Sequence, residues 1–318
     1  MESRQQLAVA LVTYNRAADL EITLTRLSTM QNEFDHLIVI NNCSTDNTRA
    51  VLDQFRSKFS IHFETHTLDE NRGGSGGFHA GVKYALNLPV DWIWLSDDDA
   101  IPQPGCLATL LSHATCEDNV YGSTAIAKGS DNGELCWPVV PFDRTGTKAL
   151  AMAHNVKDLE AVQEVAMLPF LGLMVSKKKA MEVGPPNTHY FISGDDVEYC
   201  IRMQAAGAKL MQVRDSKVIH PQIPRYIVNF LGRRVYCLRM DPWRRYFDIR
   251  NRIWNSRLRT GYTGALATTS AMLLRLIFTL AHEQNRALQI GAFFRGIRDG
   301  LFDYGKSENP SAILVRRP

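Results

Sequence analysis

The chain has 318 residues, of which 45% are hydrophobic and 22% charged, and its formal net charge is +3. This composition is ordinary for a globular enzyme, and the length allows one large domain or a domain with an appendage. Six scattered cysteines without a Cys-x-x-Cys pair argue against a disulfide framework and a zinc site, and they suit a reducing cytosol. No secretory signal is expected, because the apolar segment Leu7–Val12 is too short to be one.

The small net charge conceals a strong asymmetry along the chain. Residues 1–220 contain 19 Lys and Arg against 27 Asp and Glu, whereas residues 221–318 contain 17 against 6. An acidic body is therefore followed by a basic C-terminal segment. Such a segment is expected to face an anionic surface, either phospholipid head groups or nucleic acid.

Strand-like and helix-like segments alternate from the N-terminus. Strands are predicted at 7–12, 36–40, 60–64 and 91–96, and helices at 19–29, 45–55 and 79–88. Residues 123–165 are irregular, and a buried segment (168–175), a helix (195–206) and a strand (209–213) follow. This rhythm predicts an α/β fold with a mostly parallel sheet flanked by helices.

The C-terminal region changes character from Tyr226 onward, where the pattern becomes helical and basic. We therefore predict two domains, a catalytic domain over 1–225 and a basic helical region over 226–318. The most apolar stretch, 265–281, is interrupted by Arg275 and is short for a membrane span. An interfacial or domain-packing helix is favoured over a spanning one.

Three consecutive carboxylates, Asp97, Asp98 and Asp99, follow the apolar segment Trp92–Leu95. Open α/β sheets bind ligands at the C-terminal ends of their strands, and adjacent negative charges need a cation or strong donors. We interpret the triplet as a divalent-cation site for a ligand that carries phosphate. A solvated acidic turn is the alternative.

Polar turns also follow the first two predicted strands. The first contains Thr13, Tyr14, Asn15 and Arg16, and the second runs from Asn41 to Asp46 and includes Asn42. In a parallel sheet both would lie at the same edge as the acidic triplet, where they could contact a nucleoside. Taken singly, each turn would more often be ordinary loop chemistry.

A glycine-rich segment, Arg72-Gly73-Gly74-Ser75-Gly76-Gly77-Phe78, precedes the third predicted helix. We interpret it as a loop that approaches a ligand closely, with the following helix N-terminus favouring an anion. It is neither a P-loop nor a dinucleotide fingerprint, because no Gly-Lys-Ser/Thr follows and His79 replaces the third glycine. A flexible linker is the alternative.

Together the strings TYNR, NNCSTDNT, GGSGGF and DDDA resemble the family 2 glycosyltransferases of GT-A fold over about residues 5–225. The GGSGGF segment and the third aspartate look most like the galactofuranosyl- and rhamnosyltransferase branch. The resemblance implies Asp97, Asp99 and His220 as ligands of Mn²⁺ or Mg²⁺. The chain departs from the family pattern at Asn42-Cys43-Ser44, where the family commonly has Asp-Gly-Ser.

The resemblance also implies a catalytic base in Ser193-Gly194-Asp195-Asp196-Val197-Glu198, at the start of a helix. Asp196 is the preferred base, and Asp195 is the second candidate or a helix cap. The implied reaction is an inverting transfer in which Asp98 orients the donor. The implied donor-binding residues are Thr13, Tyr14, Asn15, Arg16, Asn42, Asp46, Arg72, Gly73, Gly74, Ser75, Gly76, Gly77, Phe78 and Asp98. Trp137 and Phe170 are either an acceptor shelf or core residues.

The expected donor is a nucleotide sugar, UDP-galactofuranose in preference to dTDP-rhamnose. The acceptor would be a hydroxyl of a glycolipid or polysaccharide in cell-envelope glycan synthesis, either a glycan or a polyprenyl-diphosphate-linked acceptor. The basic C-terminal helices suggest a cytoplasmic enzyme, peripheral on the inner face of the cell membrane. Nucleic-acid binding is not expected, since no aromatic-interleaved motif accompanies the basic residues.

Two functions of other classes remain open. A sugar nucleotidyltransferase would share the sheet and the metal carboxylates, but it would normally carry a basic glycine-rich loop near the N-terminus. Residues 12–20 contain only one basic residue, Arg16. A non-catalytic scaffold for polysaccharide assembly would explain the basic tail. It would not explain why Asp196 and His220 also fall at predicted element ends.

Overall fold

The computed structural model describes residues 4–143 and 145–304 of the chain. Internal contacts group them into two units, of which the first contains the residues up to 186 together with 202–222. The second contains 187–201 and the residues from 223 onward. The segment 187–201 therefore belongs with the C-terminal residues, although the boundary predicted at residue 225 assigns it to the first domain. Residues 305–318 of the predicted C-terminal region lie outside the described residues.

The first unit alternates strands and helices. Its strands are β1 (Leu7–Thr13), β2 (His36–Asn41), β3 (His62–Thr67), β4 (Trp92–Asp97), β5 (Ile101–Pro102), β6 (Val120–Ala127), β7 (Glu134–Val139), β8 (Ala153–Asn155), β9 (Val162–Glu164), β10 (Leu171–Ser176) and β11 (Leu210–His220). Its helices are α1 (Ala17–Ser28), α2 (Thr48–Phe55), α3 (Gly73–Ala85), α4 (Cys106–His113) and α5 (Lys177–Val183). The helix α6 (Asp195–Ala205) precedes β11.

One eleven-stranded sheet organises this unit, in the order β3-β2-β1-β4-β10-β6-β11-β5, with β7, β8 and β9 attached to its side. The pairs β3–β2, β2–β1, β1–β4 and β6–β11 are parallel, whereas β10 runs antiparallel between β4 and β6. The predicted mostly parallel sheet flanked by helices is confirmed. The direction of β10 was not predictable, because a continuous apolar run carries no information on strand direction.

Most predicted elements recur with shifted ends. The third strand is His62–Thr67 rather than 60–64, and it lies at the sheet edge beside β2. The second helix begins at Thr48 rather than Thr45. Asp46 explains this shift, because its carboxylate accepts hydrogen bonds from the Thr48 amide (3.0 Å) and hydroxyl (2.5 Å). These bonds satisfy an orphan donor at the helix start.

The glycine-rich segment is not a loop, contrary to the sequence interpretation. Its glycines form the first turns of α3, which begins at Gly73. A Cβ on Gly77 would lie 2.3 Å from Cγ1 of Val12 in β1, and one on Gly81 would lie 3.3 Å from Cβ of Ala10. The glycines therefore let a helix pack directly on the central strands, which a local sequence pattern cannot distinguish from ligand approach.

The second unit contains the hairpin β12 (Arg225–Phe230) and β13 (Arg233–Leu238), followed by the helices α7 (Pro242–His282) and α8 (Arg286–Phe302). The prediction of helices from Tyr226 onward is wrong for this hairpin. Its connection, Leu231-Gly232, has positive φ at both residues, 49° and 72°, as two-residue hairpin turns require. Within α7, Gly261 has φ 72° and ψ −162°, so a kink divides this element into two helices.

Candidate active site

Three parallel strands end together at one edge of the sheet of the first unit. The register pairs Val12 with Asp97 and Thr13 with Asn41, so β1, β2 and β4 terminate side by side. Arg16 immediately precedes α1, and Asp98 and Asp99 follow β4. The polar turns and the acidic triplet therefore lie at the same edge, as the sequence pattern indicates.

Arg16 contacts two of the three carboxylates of the triplet. Its Nη1 lies 3.5 Å from Oδ1 of Asp98 and also contacts Oδ2 of Asp99. Burial raises the pKa of Asp98 to about 7, against the opposing charge of Arg16. Burial alone would also raise the pKa of Asp99, but the hydrogen bond from His220 and the charge of Arg16 hold it below its ordinary value.

His220 lies beside Asp99 although 121 positions separate them in the chain. Its Nε2 is 3.1 Å from Oδ1 of Asp99, and both side chains are about nine-tenths buried. The contact follows from β5, whose Ile101 pairs with Ile219 of β11 two residues beyond Asp99. The ring centroid of Trp137 lies 5.3 Å from that of the His220 imidazole.

Two side chains at this edge, Asp99 and His220, have the spacing of two ligands of one divalent cation. Two neighbouring ligands of an octahedral ion, each at about 2.1 Å, lie about 3 Å apart, which is the separation of Asp99 Oδ1 and His220 Nε2. In addition, Nδ1 of His220 is buried with no hydrogen-bond partner in the described part of the chain. Asp97, the last residue of β4, is half-buried. No group of three or more His, Cys, Asp or Glu side chains in coordinating positions occurs within residues 4–143 and 145–304.

The remaining predicted donor residues have varied surroundings. Asn42 is buried and holds the start of α3: its Nδ2 donates to Asn71 Oδ1 and to the Gly73 carbonyl, both at 3.0 Å. Asp46 accepts from the Ala17 amide at 3.0 Å and so ties α1 to α2. Tyr14, Asn15 and Arg72 are exposed and Gly74 is half-buried, whereas Thr13, Gly73, Ser75, Gly76, Gly77 and Phe78 are buried.

Of the two predicted acceptor residues, Phe170 is buried and Trp137 is half-buried. Phe170 packs against Phe78 with 4.5 Å between ring centroids. Phe170 therefore occupies a core position, which is one of the two readings that the sequence left open. Trp137 keeps one face near His220.

The predicted base lies in the second unit, where Asp195 and Asp196 open α6. Asp195 and Glu198 are buried, and Asp196 is half-buried. Burial raises the pKa of Asp195 to about 8, and the neighbouring charge of Asp196 adds to the rise. Burial also raises the pKa of Asp196 to about 6, against the hydrogen bond that its carboxylate accepts from the Val197 amide at 2.8 Å.

Residues 8–155 match the family model "Glycosyl transferase family 2". This region includes the acidic triplet, Arg16 and the helix α3 with its glycine-rich start. Residues 8–155 of this chain form a family 2 glycosyltransferase domain. The predicted family and enzyme class are thereby confirmed.

Two relatives of this glycosyltransferase extend the similarity beyond that region. It is 27% identical over 259 residues to galactofuranosyltransferase GlfT1 of Mycolicibacterium smegmatis, covering 79% of this chain and 83% of the relative. It is 28% identical over 251 residues to GlfT1 of Mycobacterium tuberculosis H37Rv, covering 76% and 79%. Both alignments run well past the length of the family 2 region.

Solved structures agree on the GT-A fold. A mannosyltransferase of Pyrobaculum calidifontis, in complex with GDP-Man and Mn²⁺, matches with a TM-score of 0.56 at 12% identity, covering 95% of this chain and 88% of that one. GalNAc-T7 with UDP, GalNAc and Mn²⁺ matches with a TM-score of 0.60 at 12% identity, covering 100% and 59%. At this identity the likeness concerns the fold alone.

Sequence reasoning missed one residue that shapes the acidic edge of this glycosyltransferase. Thr23 of α1 is fully buried, and its hydroxyl donates to the Asp98 carbonyl at 2.6 Å. It fixes the backbone between the two carboxylates that contact Arg16. The available signal is a threonine among Leu20, Leu24 and Leu27 on the buried face of α1, since a buried hydroxyl needs a partner.

Proposed function

We propose that this glycosyltransferase transfers galactofuranose from UDP-galactofuranose to a hydroxyl of a glycolipid or polysaccharide, with inversion at the anomeric carbon. The observation that carries the proposal is the cluster of Arg16, Asp98, Asp99 and His220 at the strand ends. The relationship to GlfT1 over about four-fifths of the chain supports the choice of sugar. The acceptor would be a polyprenyl-diphosphate-linked glycan of the cell envelope.

In this proposal Asp97, Asp99 and His220 would hold Mn²⁺ or Mg²⁺, either of which binds phosphate oxygens. The bound ion would neutralise charge that develops on the departing nucleoside diphosphate. Arg16 balances the charge of Asp98 and Asp99. Asp98, held by Thr23 and Arg16, orients the donor through hydrogen bonds.

Asp196 is proposed as the base that takes the proton from the acceptor hydroxyl. A pKa of about 6 suits this role, because the carboxylate is ionised at neutral pH yet basic enough to accept a proton in the transition state. Asp195, with the higher pKa, remains protonated near neutrality and keeps a second negative charge away from the base.

A nucleotide-release assay tests this function. Purified protein with Mn²⁺ and a synthetic polyprenyl-diphosphate glycan acceptor is offered UDP-galactofuranose, dTDP-rhamnose, UDP-galactose and UDP-glucose. Release of UDP from UDP-galactofuranose alone, lost in Asp99→Asn and kept in the exposed Asp131→Asn control, is expected. Release of dTDP from dTDP-rhamnose instead would assign the rhamnosyltransferase alternative. No metal-dependent turnover with any donor by the folded protein would refute the enzyme mechanism.

We further propose that the helices α7 and α8 dock on an anionic membrane leaflet. Among the described residues, α7 alone is long and apolar enough to cross a membrane, and only 22% of its most apolar 18-residue window is buried. Beyond the kink at Gly261, Leu266, Leu273 and Ile277 expose their side chains. On α8, Phe294 is exposed as well. Large exposed apolar side chains next to a strong excess of basic residues favour an anionic lipid surface.

Vesicle sedimentation tests the membrane proposal. The protein should sediment with phosphatidylglycerol vesicles at low salt, less at high salt, and little with phosphatidylcholine vesicles. Leu273→Glu combined with Ile277→Glu should abolish binding, while Met181→Glu, on the exposed side of α5, should not. Failure to bind, together with a dimer in light scattering that the double variant dissociates, would assign this face to a second copy instead.

A further inference from the structure

The segment that leads into α6 follows an unusual backbone path. Phe191 has φ 62° and ψ −64°, and the amide of Ile192 donates to the Tyr190 carbonyl at 2.7 Å. This is a γ-turn of the rare, strained type. Ser193 and Gly194 also have positive φ, at 69° and 78°. Such strain persists only where surrounding contacts over-determine the conformation.

Two asparagines of α7 supply those contacts. The Nδ2 of Asn251 lies within hydrogen-bond distance of three carbonyl oxygens, those of Tyr190 (3.0 Å), Ile192 (2.9 Å) and Ser193 (2.7 Å). One helical turn later, Nδ2 of Asn255 donates to the Gly194 carbonyl at 2.8 Å. Asn251 is fully buried and Asn255 nearly so. Two side chains on one face of α7 therefore contact four carbonyls of residues 190–194, and the two hydrogens of the Asn251 amide are shared among three of them.

Neighbouring donors fix the orientation of both amides. Arg250 Nε donates to Oδ1 of Asn251 at 2.9 Å, and the Tyr190 hydroxyl donates to Oδ1 of Asn255 at 2.7 Å. Each amide therefore turns its NH₂ group toward the carbonyls. Arg250 Nη2 also donates to the His189 carbonyl at 2.7 Å, and its guanidinium lies 4.2 Å from the Trp254 ring centroid.

Gly194 is the last residue of the strained segment 190–194 that these asparagines contact. A Cβ there would lie 3.0 Å from Nδ2 of Asn255, and the positive φ would strain any other residue. The next two residues are Asp195 and Asp196, which begin α6. An ordinary helix N-terminus needs only a single capping side chain, so this number of contacts exceeds what starting α6 requires.

We propose that Arg250, Asn251 and Asn255 form a clamp that positions the Asp196 carboxylate for proton abstraction. The inference rests on the proposed function, in which Asp196 is the base. The three clamp residues act through the strained segment and not on substrate, so they are positioning residues. Catalysis is sensitive to such placement, because a shift of about 1 Å can cost about 100-fold in rate.

The test compares variants of the clamp with a matched variant elsewhere in the same unit. Asn251→Leu removes the amide at nearly constant volume, and Asn255→Ala removes the single bond to Gly194. Gln289→Leu is the control, because Gln289 is also a buried amide and donates to the Met240 carbonyl at 2.9 Å. For each variant we would measure kcat, KM for both substrates, donor affinity by calorimetry, and hydrogen exchange of the amides at 190–197.

Asn251→Leu and Asn255→Ala should lower kcat by about 10- to 100-fold with donor affinity unchanged within about twofold. Faster exchange should be confined to 190–197. The control should lower the melting temperature without lowering kcat. If Asn251→Leu does not fold, Asn255→Ala carries the same expectation, because it leaves Asn251 and Arg250 in place.

Asp196→Asn distinguishes a wrong base assignment from a wrong clamp assignment. If this variant keeps the wild-type kcat, the base assignment within the proposed function is wrong. If it abolishes transfer while a folded clamp variant keeps the wild-type kcat, the clamp inference alone is wrong. A clamp variant that loses donor affinity in proportion to kcat, or behaves like the Gln289→Leu control, would likewise overturn it.

Discussion

Replacing Gly77 by alanine tests whether the glycine-rich helix serves packing or ligand approach. In the structure an added Cβ would lie 2.3 Å from Cγ1 of Val12, whereas ordinary contacts are 3.4–4 Å. Both residues are buried, Gly77 within α3 and Val12 within the central strand β1. Either α3 must retreat from the sheet or Val12 must leave its rotamer at this point.

The magnitude follows from two opposing effects. Overpacking of this kind costs about 1–3 kcal/mol, and the better helix propensity of alanine returns about 1 kcal/mol. Gly77→Ala should therefore lower the free energy of unfolding by up to about 2 kcal/mol. Gly291 is the matched control, since it lies within α8 with nothing within 4 Å of an added Cβ. Gly291→Ala should raise the free energy by about 0.5–1 kcal/mol.

Thermal and urea denaturation of both variants, together with donor affinity measured by calorimetry, would distinguish packing from ligand approach. Lower stability for Gly77→Ala and higher stability for Gly291→Ala are expected. Unchanged stability of Gly77→Ala together with markedly weaker donor binding would refute the packing argument. It would instead restore the role of a ligand-approaching segment that the sequence alone suggests.

Three further outcomes are expected. Transfer should decline as pH falls through about 6, because the Asp196 carboxyl becomes protonated, and kcat/KM between pH 5 and 8 checks this. The pKa of Asp195 is about 8 in the folded protein and about 3.9 in the unfolded chain. The protonated carboxyl therefore stabilises the folded state fully below pH 4, and this contribution to the free energy of unfolding is lost as pH rises through 8. The melting temperature of Asp195→Asn relative to wild type should therefore increase from pH 5 to pH 8, and a constant difference would contradict this. His220→Asn should weaken Mn²⁺ binding, followed by electron paramagnetic resonance, by about tenfold or more, whereas the exposed His154→Asn should not.

Much of the polar and acidic edge of the sheet was predictable because its signals are local. An apolar strand that ends in carboxylates places them at a sheet edge, and Thr13 and Asn41 reach the same edge as soon as their strands are parallel. The sequence could not distinguish glycines that pack on a strand from glycines that approach a ligand, since both need the same absence of a Cβ. It also missed the β12–β13 hairpin, because the hairpin shares with α7 an excess of basic over acidic residues.

By itself the amino-acid sequence determined the α/β class, the identity of the acidic edge and the family, because these depend on short local patterns and on their order along the chain. Only the tertiary structure decided which distant groups meet. The pairing of β5 with β11 brings His220 to Asp99. The placement of α7 against the strained segment at 190–194 supplies amide donors to the backbone before Asp196. These contacts join residues more than 50 positions apart, so burial and hydrogen-bond satisfaction across the fold determine them, and local propensity does not.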